Sequence, residues 1–117
     1  MAEWAWSDDL DALLASVAHH RLLLENEHTR VLESIIPPGE TTAIHTHRWP
    51  NVQHVVQGSD IVRRDADGTV MLDTRATGEP LADSMTLWSA PIPPHSVENV
   101  GAVELRVIVV ELKYPAG

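Results

Sequence analysis

From residue 20 onwards, turn-forming residues punctuate the chain about every ten residues, and the segments between them are short and rich in aliphatic and β-branched side chains. This rhythm constrains the fold more than any other feature. Many short strands with regularly spaced turn signals build a β-sandwich or a small barrel. The stretch "HRLLLENEHTRVLESIIPPGE" predicts two strands around the polar break Glu25–His28, the second ended by Pro37-Pro38-Gly39. "TTAIHTH" and "VQHVVQG" are strand-like and separated by the turn-rich "RWPN". "SDIVRRDADGTVMLDTR" predicts a hairpin through Asp65-Ala66-Asp67-Gly68, with Gly68 free to take a positive φ. "MTLWSAPIPPHSVENVG" predicts a strand with Trp88 in the core, a Pro-rich corner and another short strand. "VELRVIVVELK" is the longest strand candidate. Val107–Val110 is apolar on both faces, which predicts cover on one side by the core and on the other by a helix or a second subunit.

Upstream, residues 7–18 predict a helix. Leu10, Leu13, Leu14 and Val17 form one apolar stripe. Ser7 is a good N-cap, and Asp8, Asp9 and Asp11 suit the positive end of the helix dipole. The expected organisation is one domain: residues 1–20 a helical segment packing on the body, and 21–117 an all-β barrel.

Composition narrows the chemistry. The chain has 117 residues and no cysteine, which excludes a disulfide framework and thiolate metal ligands. Seventeen acids against eight Lys and Arg give a net charge of -9, a surface that a phosphate backbone would repel, so nucleic acid is not an expected partner. No apolar run approaches the roughly 20 residues needed to span a bilayer. The start "MAEWAWSDDLD" is acidic and has no apolar signal core. The expectation is a soluble, cytoplasmic protein without membrane contacts.

Seven histidines remain to be explained. On a strand, His45 and His47 point the same way, about 7 Å apart along the chain, so two imidazoles can converge on one ion. Taken alone, a His-x-His pair is weak evidence, since surface strands produce it by chance. Its surroundings are more specific. Gly39 is followed by five residues, His45-Thr46-His47, three residues, Asn51, six residues and Gly58; later comes "PIPPHSVEN", where His95 is followed by three residues and Asn99.

These two stretches resemble the motifs of the cupin superfamily, in particular its small single-domain conserved barrel (cupin 2 type) proteins. The first family motif is Gly, five residues, His-x-His, three or four residues, Glu, six residues, Gly; the second is Pro-x-Gly, two residues, His, three residues, Asn. The resemblance covers about residues 21–112. It departs at Asn51, where the family has glutamate, and at Ala90 and Ile92, where the family has proline and glycine.

The resemblance implies a single jelly-roll-like cupin β-barrel with a short N-terminal helix, in which His45, His47 and His95 ligate one divalent transition metal ion. Iron is expected first, with zinc, nickel, manganese, cobalt or copper as alternatives. Without the glutamate, the site keeps the full charge of its ion and favours a small anionic or chelating substrate. Asn51 and Gln53 share a strand face and are the candidate catalytic residues beside the metal, orienting substrate or a bound water. His54 has the opposite parity and is expected to pack or face an interface. His19, His20 and His28 are expected at the surface, and Asn99 to tie the turn after its strand. Of Arg63 and Arg64, which face opposite ways, one could reach a substrate carboxylate, although a solvated hairpin arm is the simpler expectation. Cupins that have lost the glutamate include three-His iron dioxygenases, so the expected activity is that of a dioxygenase-like oxidoreductase. The alternatives are a non-oxidative isomerase, lyase or cyclase using zinc, nickel or manganese, and a non-catalytic ligand-binding barrel. A homodimer is also expected.

Overall fold

The computed structural model describes residues 4–113. The outermost residues of the two expected segments, 1–3 and 114–117, lie outside the described ones. Nine strands build two antiparallel sheets: β1 (His20–Glu25), β2 (Thr29–Ile36), β3 (His45–His47), β4 (Asn51–Gln57), β5 (Ile61–Asp65), β6 (Val70–Asp73), β7 (Thr86–Ser89), β8 (Ile92–Asn99) and β9 (Leu105–Leu112). The larger sheet has the order β1-β2-β9-β4-β7 and the smaller β3-β8-β5-β6. This is the expected jelly-roll-like barrel. No described helix is long and apolar enough to cross a membrane.

Strand parity sets the inner face. Leu105, Val107 and Val109 of β9 are buried and meet Leu32 and Ile36 of β2 and Val55 of β4 in one apolar cluster. Ile108 and Val110, on the other side of β9, remain partly exposed. A row of residues directly opposite one another crosses the whole outer face: Leu24, Val31, Val110, Val52 and Trp88. Trp88 is therefore an outer-face residue, 62% exposed, rather than a core residue. It pairs with Val52, whose neighbours Asn51 and Gln53 point inward, and parity sends both Val52 and Trp88 outward.

Two glycines act through their missing side chain. Gly68 closes the β5–β6 hairpin at φ +85°. A Cβ on Gly58 would come within 1.8 Å of the Leu81 carbonyl oxygen, so the chain leaves β4 only because nothing protrudes there.

The N-terminal segment departs from the predicted single helix. A 3₁₀ turn, Asp8–Leu10, is capped by Ser7 as expected, and a one-turn helix α1, Ala12–Ala15, follows. Asp11 interrupts the helix at ψ 142°, because its carboxylate caps the Leu13 amide and also accepts from Arg30. The apolar stripe is not buried as one: Ala12 enters the core, while Leu14 and Val17 are 65% and 73% exposed. The expected Pro-rich corner is shorter than predicted: the chain passes from β7 in one sheet to β8 in the other at Ala90-Pro91. Pro93 and Pro94 lie inside β8, in the part that has no β5 partner and where the β3–β8 register shifts, so their missing N–H groups break no regular ladder.

Candidate metal centre

The β3–β8 register sets His45 directly opposite His95; period two puts His47 on the same inner face as His45, and a shift in the ladder sets Ile92 opposite it. All three are buried. The His45 ring centroid lies 4.4 Å from that of His95 and 5.1 Å from that of His47.

A fourth imidazole joins them. His20, expected at the surface, is 5% exposed, and its ring centroid is 4.6 Å from that of His45 and 5.7 Å from that of His47. It is the first residue of β1 and pairs with the inward-facing Ser34, a register that no local sequence signal announces. Among the described residues, His20, His45 and His47 form the compact group whose ligand atoms all lie within 4.8 Å of one another. His19 instead bonds Glu40 at 2.8 Å, and His28 is exposed as expected.

The hydrogen bonds at the back of the rings decide what the rings offer at the front. Nδ1 lies 2.8 Å from the Ala43 carbonyl in His45, 2.8 Å from the Pro93 carbonyl in His95 and 3.1 Å from the Ser16 carbonyl in His20. In His47 it lies 3.1 Å from the Glu111 carboxylate. Each of these oxygens only accepts, so each contact requires an Nδ1–H donor and leaves the Nε2 lone pair free. Burial, then the neighbouring His47, lowers His20 to about 4, and burial with His47 and Arg63 lowers His95 to about 3. Burial and the three neighbouring imidazoles push His45 lower still. Neutral imidazoles with a fixed tautomer are the form in which histidine binds a metal, and the residues therefore fit a divalent ion.

The carboxylate missing at Asn51 stands one strand away. Glu111 of β9, fully buried, is directly opposite Asn51 across the β4–β9 ladder. Its Oε2 takes the His47 contact and its Oε1 accepts from Arg30 Nε at 2.6 Å, while Arg30 also donates to Asp11 at 2.6 Å. The Arg30 guanidinium stacks 5.0 Å from the Trp49 ring. Trp49 thus covers this charged chain. Parity alone could have found Glu111, since it shares the inner face of β9 with Val107 and Val109 and is the one charged residue there.

Asn51 and Gln53 do share the inner face. Asn51, fully buried, donates to the Trp49 carbonyl at 3.1 Å and accepts from Gln53 Nε2 at 3.0 Å. Gln53 lines the cavity with the histidines, and Asn51 holds it there. His54 faces outward and lies 3.0 Å from the Thr86 hydroxyl. Asn99, fully buried, donates to the carbonyls of Ile36 and Val103 and accepts from Ser59 and Gly101, tying the turn as expected.

The cavity, about 50 Å³, is walled by Ile36, Ile61, Ile92, Val107 and Val109. Arg63 also lines it, against the expectation of a solvated hairpin arm. The pairing Arg63↔Val97 turns Arg63 inward, and Arg64, opposite Ser96, turns outward to Glu98.

No family model matches the sequence, and no curated protein resembles it closely enough to count as a relative. Solved structures do match. A cupin domain from Bordetella pertussis superposes with a TM-score of 0.66 at 20% identity, over 81% of this chain and 92% of that one. A conserved protein with a double-stranded β-helix domain from Klebsiella pneumoniae gives 0.57 at 20%, over 82% and 76%. A cupin 2 conserved barrel domain protein from Salinispora arenicola gives 0.52 at 16%, over 78% and 71%. Identities this low speak for architecture alone: the chain is a single barrel of the cupin fold, the double-stranded β-helix, carrying a buried histidine cluster close enough to bind a metal.

Proposed function

We propose that the barrel holds one divalent transition metal ion on His45, His47 and His95, with His20 as a fourth imidazole, and that the protein is a small dioxygenase-like metalloenzyme. The observation that carries this reading is the convergence of four Nδ1-anchored imidazoles on one cavity, each with a free Nε2 lone pair. Such an ion supplies Lewis acidity and, as iron, redox chemistry with dioxygen. The chain's own residues do the rest. Glu111 fixes the His47 ring, Asn51 holds the Gln53 amide towards the cavity for orienting substrate, and the aliphatic wall excludes water. Among the described residues lining the cavity there is no Asp or Glu. An isomerase, lyase or cyclase would lack a carboxylate base there, which weighs for the oxygenase.

The test is elemental analysis of protein purified without added metal, beside His47→Ala and His20→Ala. Near-stoichiometric iron, lost from His47→Ala and weakened in His20→Ala, is the expected result, with oxygen uptake on small chelating substrates. Zinc or nickel would move the reading to Lewis-acid chemistry, and no metal in the wild type would end it.

The cysteine-free, acidic composition fits a cytoplasmic setting. Two copies pair through the outer apolar row that ends at Leu24 and Trp88, both more than half exposed. Light scattering should give a dimer for the wild type and a monomer for Trp88→Glu; a monomeric wild type would remove the dimer.

A further inference from the structure

Among the described residues, Arg63 is the one Arg, Lys, Asp or Glu on the cavity wall, and no side-chain partner for it is found there. Its Nε is buried without a hydrogen bond, and no described carboxylate lies within salt-bridge distance. The inner carboxylates nearby are taken: Glu111 is held by Arg30 and His47, and Asp65 accepts from the amides of Asp67 and Thr69. Burial lowers the Arg63 pKa and nothing raises it, the reverse of Arg30, where burial is more than offset by Asp11 and Glu111. Arg63 is half-buried, and a guanidinium partly withdrawn from water without a counter-charge favours an anion that joins it.

We infer that the substrate is a short carboxylate bearing a second donor on the next carbon, such as a 2-hydroxy, 2-oxo, 2-amino or 2-thiol acid, with its carboxylate on the Arg63 guanidinium and its other donor towards the histidines. Three observations carry this. Arg63 lies opposite Val97, two residues along β8 from His95, so the two positions are diagonal neighbours about 7–8 Å apart, and Arg63 lines the same cavity as the four histidines. The guanidinium fork matches a carboxylate with two parallel bonds. The cavity of about 50 Å³ admits a ligand of only a few heavy atoms. The inference deepens the metal reading and rests on it only for the second donor.

The test uses the full chain, metal-loaded and metal-free, with glycolate and its neutral counterpart glycolamide as calorimetric probes and elemental analysis of every sample. The wild type should prefer glycolate by about tenfold or more, the worth of a charged hydrogen bond. Arg63→Met should lose that preference with unchanged metal content, and Arg63→Lys should keep part of it. Unliganded Arg63→Met should unfold at a higher temperature than the wild type, because an unpaired, half-buried charge has gone. Equal glycolate preference in Arg63→Met and wild type, or no glycolate binding by the wild type, would overturn the inference while leaving any measured metal in place. An Arg63-dependent preference that persists without metal would support Arg63 and count against the metal's part. Misfolding of both Arg63→Met and Arg63→Gln would make Arg63 structural and overturn the inference as well.

Discussion

At the scale of single residues, the centre depends on what stands behind each ring as much as on the rings. Three of the four Nδ1 atoms rest on backbone carbonyls, which mutation cannot easily remove; His47 rests on a side chain, Glu111. Glu111→Gln keeps the shape but weakens the acceptor for His47 and strips Arg30 of one of its two anions. Metal affinity should fall by about 10–100-fold, the usual effect of removing such a support. The fold should also lose stability, because Arg30 is buried and left with Asp11 alone. Competition against a chromophoric chelator measures the first effect and urea unfolding the second. Unchanged metal affinity in Glu111→Gln would show that the His47 ring is oriented by other means.

At the scale of elements, strand register explains both what the sequence shows and what it conceals. His45 and His47 are legible because their spacing is local and period two puts a His-x-His pair on one face, whereas the distant His95 is legible only through the resemblance of its stretch to the second cupin motif. The inward Asn51 and Gln53 and the outward His54 follow from the same parity. His20 is not legible in this way, since only the pairing of β1 with β2 brings it opposite Ser34. Arg63 and Trp88 are half legible: alternation gives each two possible faces, and the partner strands β8 and β4 choose between them. The N-terminal stripe misleads because Asp11 gains more as a cap and an Arg30 partner than as a helix interior residue. Register also accounts for Asn51. Directly opposite pairs have Cβ atoms about 5 Å apart, so a glutamate at 51 would face the buried Glu111 across the ladder. Asn51→Glu should therefore lower the melting temperature of the metal-free protein at neutral pH, as like charges directly opposite repel, and a divalent ion should restore much of the loss. Calorimetry with and without zinc reads both; a melting temperature unmoved by the substitution would mean that Arg30 alone neutralises two carboxylates.

At the scale of the whole molecule, a barrel that gathers four imidazoles in its core, with His20, His45 and His95 held neutral by burial, is sensitive to acid until a metal occupies them. His20 titrates near 6.5 when unfolded and near 4 when folded, so protons bind the unfolded chain preferentially between those values. The stability that neutral His20 represents is complete above about pH 6.5 and is lost as the pH falls towards 4. At 1.36 kcal/mol per pKa unit the loss approaches about 3 kcal/mol, and His95 adds to it over a window reaching about pH 3. Against a typical total of about 5–15 kcal/mol, that is a large fraction. The buried Glu33 carboxylate does not share this window. Burial alone would raise Glu33, but Arg106 and Arg21 more than offset it and hold it below its ordinary value, so its ion pairs persist until the medium is more acid. Urea unfolding of the metal-free protein at pH 7, 5.5 and 4.5 should thus show a steady fall in stability, and His20→Gln should flatten the curve. A metal ion changes the balance because it binds the folded chain and competes with the same protons: at a hundred times its dissociation constant it adds about 2.7 kcal/mol. The metal-loaded protein should hold its neutral-pH stability further into acid, then release metal and unfold over a narrow range. A metal-free protein equally stable at pH 7 and 4.5 would mean that the imidazoles accept protons within the folded barrel, and would remove the dry, neutral cluster on which the site depends.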